Sequence, residues 1–77
     1  MSDKLYTPAD IKTYISGITY RDALALMRTG SLVSVEYSGR FFTKREHIIT
    51  YLKRNPAAVL TDAGNREFKI AYNNERG

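Results

Sequence analysis

Residues 17–30, GITYRDALALMRTG, carry the reading on which the fold of this chain turns. Gly17 and Ile18 make a turn, Thr19 and Asp22 stand in the spacing of a helix cap and its third-position acid, and Gly30 closes barely three turns of helix. Ala23, Leu26 and Met27 form a compact apolar stripe, with Tyr20 half covered at the helix start. Arg21, Ala25 and Arg28 lie on the other side, and Leu24 falls between the two. Two arginines on the open face of so short a helix either keep the chain soluble or face a polyanion.

Upstream, TPADIKTYI opens a first helix with Thr7 as cap, Pro8 where its missing N–H costs nothing, and Asp10 three residues past the cap. Ile11, Tyr14 and Ile15 give it one apolar face, Gly17 closes it in a left-handed conformation, and Ile18 staples the next helix. Two capped helices joined by so short a turn are the organisation of a helix-turn-helix. Downstream the period changes to two. SLVSVEYSGRFFTK sets Leu32, Ser34 and Glu36 against Val33, Val35 and Tyr37, breaks at Ser38 and Gly39, and resumes with Arg40, Phe41 and Phe42, predicting a hairpin tipped at Ser38 and Gly39.

A third helix is expected to begin with a capping box of Thr43 and Glu46, to bury Ile48, Ile49 and Leu52, and to end at Asn55 and Pro56 behind Lys53 and Arg54. Beyond Pro56, a turn at Ala63, Gly64 and Asn65 precedes Phe68, Ile70 and Tyr72 on one side of an alternating segment, read as a small hairpin or an extended strand. Those three residues either complete a thin core or leave a strand edge open to a partner. Residues 1–6 are expected to be a loose arm.

With 77 residues the chain makes one small domain with a modest core. It has no cysteine, which removes disulfides and thiolate metal ligands. No h-region or membrane-length apolar run occurs, so a soluble intracellular protein, cytoplasmic in location, is the expectation. The net charge of +4 is unevenly placed. Both ends balance, whereas residues 19–54 hold Arg21, Arg28, Arg40, Lys44, Arg45, Lys53 and Arg54 against only Asp22, Glu36 and Glu46. Such a field suits an anionic partner, nucleic acid being the common one, or simply solvates a surface.

Catalytic readings find little support. His47 is the single histidine and has no companion ligands for zinc, and Asp10, Asp22 and Glu46 are accounted for as helix-start acids. Gly17, Gly30 and Gly39 stand alone at element ends and form no phosphate loop. The expectation is no enzyme, no cofactor and no metal. DNA binding matches the chemistry better: small Ala25 between Arg21 and Arg28 lets the second helix approach a major groove about 12 Å wide. Arg21 would meet a base edge or phosphate, Thr19 and Tyr20 the backbone, and Arg28 a phosphate farther along. Arg40, just past the hairpin turn, would sit on a wing beside the helix, with Lys44 and Arg45 adding general backbone attraction.

Residues 7–54 resemble the small winged-helix proteins of the excisionase family, related in fold to the DNA-binding domain of mercury-resistance-type regulators. The resemblance rests on Thr7 and Asp10; on Gly17, Ile18 and Thr19; on Leu26, Met27, Arg28, Thr29, Gly30 and Leu32; on Gly39 and Arg40; and on Ile48 and Leu52. It implies DNA contacts from Tyr20, Arg21, Leu24, Ala25 and Arg28, with Arg40 on the wing. Such proteins bend DNA beside a phage or transposon integrase and favour excision, and several regulate transcription. The second helix here is poorer in polar residues around Leu24 and Ala25 than is usual in relatives, which implies sparse base reading and more shape readout.

The fold expected is therefore α+β, a winged helix-turn-helix of three short helices with a hairpin wing and a C-terminal strand or hairpin. Its parts are an arm over 1–6, a DNA-binding domain over 7–55 and an extension over 56–77. Double-stranded DNA is the expected partner, an integrase a further one, and self-association along DNA would use residues 59–72. The alternative is a module of mobile-element origin that binds a host or phage protein.

Overall fold

In the computed structural model of the protein, residues 4–68 are described. The chain runs β1 (Leu5–Tyr6), α1 (Pro8–Tyr14), α2 (Tyr20–Thr29), β2 (Val35–Tyr37), β3 (Arg40–Lys44) and α3 (Arg45–Arg54). A fourth helical segment, α4, covers residues 62–68. The described residues make a small α+β domain with four helices and a three-stranded antiparallel sheet in the order β1-β3-β2.

Of the three expected helix-start pairs, those of α1 and α2 form capping boxes. Thr7 Oγ1 accepts the Asp10 N–H at 3.3 Å while Asp10 Oδ2 accepts the Thr7 N–H at 3.0 Å, and Thr19 and Asp22 repeat the exchange at 3.1 and 3.0 Å. Each satisfies amides that a helix start leaves without intrahelical acceptors. Gly30 ends α2 in the left-handed region at φ 88°. The chain then turns back on α2, with Leu32 N–H donating to the Leu26 carbonyl and Ser34 Oγ to that of Met27. The hairpin tip falls at Ser38 and Gly39, whose φ angles of 52° and 76° give the doubly positive pattern of a tight two-residue turn.

Three parts differ from expectation. The supposed arm is anchored from Lys4 onward: Leu5 and Tyr6 pair with Lys44 and Thr43, and Tyr6 is only 1% exposed. Residues 1–3 lie outside the described residues. Thr43 does not cap α3, because it is still in β3, buried, with Oγ1 donating to the Val33 carbonyl at 2.6 Å. The helix starts one residue later with Lys44 at the cap and no side-chain cap bond.

The third difference is the tail, where the hairpin or strand is replaced by α4 over residues 62–68. Thr61 caps it, Oγ1 accepting the Gly64 N–H. Thr61 also reaches back to α1, its N–H donating to the Tyr14 carbonyl at 2.9 Å and its hydroxyl to that of Thr13 at 2.6 Å. Those are the carbonyls that a helix end leaves open. Ile70 and Tyr72, expected beside Phe68, lie outside the described residues.

The core gathers Tyr6, Ile11, Ile15, Ala23, Met27, Leu32, Ile48, Leu52, Leu60 and Phe68. Tyr14 and Tyr6 flank Phe68, at ring-centroid distances of 5.5 and 5.8 Å. The Glu67 carboxylate accepts from Tyr6 Oη at 2.7 Å and Lys4 Nζ at 3.1 Å, and Arg45 stands 3.9 Å away with its guanidinium over the Phe68 ring. The hydrogen bond from Tyr6, then that from Lys4, hold the Glu67 carboxyl below its ordinary pKa. Burial, then the same bond to Glu67, pushes the Tyr6 phenol up.

Two predictions follow from this packing. Gly64 is buried, and a Cβ there would drive into the backbone carbonyl of Tyr14 and against Leu60. Gly64→Ala is expected to cost about 3 kcal/mol despite alanine's better helix propensity, read as a lower urea midpoint. Glu67→Gln is expected to cost roughly 1 kcal/mol near neutral pH. Because the folded carboxyl titrates below its unfolded value, Glu67 stabilises the fold above the usual carboxylate range and loses that contribution as pH falls through its folded pKa. The difference in thermal midpoint between wild type and Glu67→Gln should therefore shrink on acidification.

Candidate nucleic-acid interface

Helix α2 is held by a narrow strip of its surface. Ala23 and Met27 are buried and Leu26 is half-buried against the core, which fixes the rotation of the helix about its axis. Tyr20, Leu24 and Arg28, four residues apart, then fall on one side and line a groove of about 440 Å³. The start of α1 forms a second wall through Pro8 and Ala9, and the hairpin tip forms the third through Gly39, Arg40 and Phe41. Arg21 and Ala25 are exposed one step farther round α2.

The expected site residues thus divide. Tyr20, Leu24, Arg28 and Arg40 meet around one groove, and Arg21 and Ala25 border it on the exposed surface of the same helix. Thr19 stands at the α2 start with its hydroxyl engaged as the cap. Lys44 and Arg45 do not line the groove. Lys44 pairs across the sheet with Leu5, and Arg45 is half-buried against Glu67 and Phe68, where it ties α3 to α4. Phe41 and the Pro8–Ala9 step are groove residues that sequence reasoning missed. The capping box at Thr7 located the start of α1, but no local signal tells which neighbour a helix start will face.

The electrostatics of the groove follow from how the acids are used. Asp10 and Asp22 turn inward on their own helix starts. Among the described residues Arg21, Arg28 and Arg40 have no acidic partner within salt-bridge distance. Three cations with Tyr20 and the α2 surface around them can take an anionic backbone while a helix lies against its grooves. No group of three or more histidine, cysteine or acidic side chains among the described residues could hold a metal ion. No helix among them is long and apolar enough to cross a membrane.

Compared with known proteins, the chain matches no family model, no curated protein and no solved structure.

Thr19→Ala removes a hydroxyl whose first employment is structural. It is expected to lower stability by about 1 kcal/mol, a fall in thermal midpoint of roughly 4–8 °C for a chain this small. Thr19→Ser, which keeps the accepting oxygen, should recover most of it in the same melting experiment.

Proposed function

We infer that this protein binds double-stranded DNA through α2 and the β2–β3 hairpin. The observation that carries the reading is the placement of Arg21, Arg28 and Arg40, without acidic partners among the described residues, on a helix and a hairpin tip that share one groove. In this reading the domain is a winged helix-turn-helix. α2 enters the major groove, Tyr20 and Arg28 hold a phosphate run beside it, and Arg40 reaches the backbone or the neighbouring minor groove from the wing. Arg21 and Ala25 face base edges, with Leu24 at the margin. Lys44 and Arg45 contribute to the positive field rather than to groove contacts.

The motif pattern of the excisionase family supports a role as an accessory factor that bends DNA for an integrase, or as a small transcriptional regulator, in a phage or mobile element. Sparse polar chemistry on α2 favours recognition by DNA shape over a dense set of base contacts. Catalysis has no part in this reading. Residues 59–72 are assigned no DNA contact, and Leu60 and Phe68 within them are core residues.

Fluorescence anisotropy with short duplexes at several salt concentrations tests the proposal. Wild type should bind with an affinity that falls steeply as salt rises, as counterion release requires. The double variant Arg21→Ala with Arg28→Ala, and Arg40→Ala singly, should bind more weakly and with a shallower salt slope, each lost phosphate contact flattening it by about 1. All three arginines are exposed, so melting curves should stay close to wild type. Duplex affinity unchanged in the double variant would overturn this assignment of the site.

A further inference from the structure

The open side of α2 is short of groups that read bases by hydrogen bonds. The helix, YRDALALMRT, contains no asparagine or glutamine, the side chains that pair with adenine. Asp22, Thr19 and Thr29 spend their polar groups on the helix itself. Asp22 Oδ2 accepts the Thr19 N–H at 3.0 Å, Thr19 Oγ1 accepts the Asp22 N–H at 3.1 Å, and Thr29 Oγ1 donates to the Ala25 carbonyl at 2.8 Å. What remains between the exposed Arg21 and Arg28 is apolar: Ala25 is exposed, and Leu24 is half-buried and lines the groove.

Helix geometry fixes how these side chains are presented. Ala25 lies two residues from each of the buried Ala23 and Met27, so it points almost directly away from the core and forms the crest of the exposed surface. Arg21 and Arg28 stand about 10 Å apart along the axis, the length of roughly three base-pair steps. Leu24 and Ala25 fall midway between them. An alkyl group offers neither donor nor acceptor, and the one match it finds on a base edge in the major groove is the thymine 5-methyl group. Against guanine or cytosine it would strip water from N7, O6 or N4 and return no hydrogen bond.

We propose that Ala25 and Leu24 read thymine methyl groups, so that the preferred duplexes carry thymine at one or two adjacent positions beneath the middle of α2, between the contacts of Arg21 and Arg28. The assignment rests on α2 being the helix that enters the major groove. Ala25 sets the depth of approach, because a side chain of one carbon lets the helix settle until its methyl touches that of the base. Leu24 covers the same or the neighbouring methyl from the groove side. The arginines supply attachment and register, and the two apolar residues between them supply the selectivity.

The test begins with selection of duplexes from a random double-stranded pool by the full chain. The winning duplex is remade with deoxyuridine for each thymidine in turn, which removes only the methyl, and affinities are read by fluorescence anisotropy. Wild type should lose about fourfold at one or two adjacent thymidines, the scale of one buried methyl group. Replacing that thymidine by 5-methylcytosine, paired with guanine, should retain more affinity than replacing it by cytosine. The double variant Leu24→Ser with Ala25→Ser should bind the thymidine and deoxyuridine duplexes equally, with Ala25→Ser alone, at an exposed position, narrowing the difference should the double variant fail to fold. Affinity that falls in Arg21→Ala with Arg28→Ala but is indifferent to every deoxyuridine would overturn the methyl reading and leave the DNA interface standing. So would a deoxyuridine effect undiminished in the serine variants, which would place the action of the methyl in duplex shape. Duplex affinity that is absent, or indifferent to the arginines, removes the interface itself and the methyl reading with it.

Discussion

The hydrogen bond from the Tyr6 hydroxyl to the Glu67 carboxylate, 2.7 Å long, is the contact on which the closure of this domain depends. It joins the first strand to the last described helix, with Lys4 and Arg45 supplying positive charge around the same carboxylate. A chain of 77 residues has little apolar surface to bury, and without this seam two of its largest core side chains, Tyr6 and Phe68, would lose their cover together. A phenol can be buried here only because its hydroxyl has a strong acceptor, and the carboxylate can sit beside aromatic rings only because two cations stand near it. The groove on α2 is built on that closure: β1 leads straight into Thr7 and the start of α1, which forms one of its walls.

The parts of the fold legible in the sequence are those governed by neighbours three or four residues apart. Thr7 with Asp10, and Thr19 with Asp22, announced both helix starts because the capping box is a local bond. Ser38 and Gly39 announced the hairpin tip because few residue pairs accept two positive φ angles. Thr43 with Glu46 carried the same signature and misled, since pairing with Tyr6 from far upstream keeps Thr43 in the strand. The tail misled for a related reason. Leu60, Gly64 and Phe68 are buried at a spacing of four, but the middle position is a glycine, so the helical period is invisible to a hydrophobic pattern. Gly64 is there because α4 approaches the Tyr14 carbonyl too closely for a side chain, and only the packed structure reveals that approach.

The candidate site was legible to a similar depth. Periodicity assigned the sides of α2 correctly, burying Ala23 and Met27 and leaving Arg21, Ala25 and Arg28 exposed. It could not assign Leu24, which proves to line the groove, nor see that Arg28 and Arg40 bound one cavity. It grouped Lys44 and Arg45 with the DNA contacts because charge in sequence carries no direction. In the fold, Lys44 joins the outer sheet face and Arg45 is drawn onto Glu67 and Phe68. The basic excess of the middle segment is thereby distributed over the α2 groove, the sheet face and the α4 seam.

The seam has a kinetic consequence as well. Its bonds span 61 and 63 residues of sequence, whereas the caps that shape α1 and α2 span three. Loop-closure entropy places such distant contacts late in folding, after the helices and hairpin have formed from nearby residues. The same ordering run backwards makes β1 and α4 the first elements to open. Amide exchange would then be fastest in β1 and α4 and slower through α2, so that the helix bearing Arg21 and Arg28 keeps its shape while those two elements breathe.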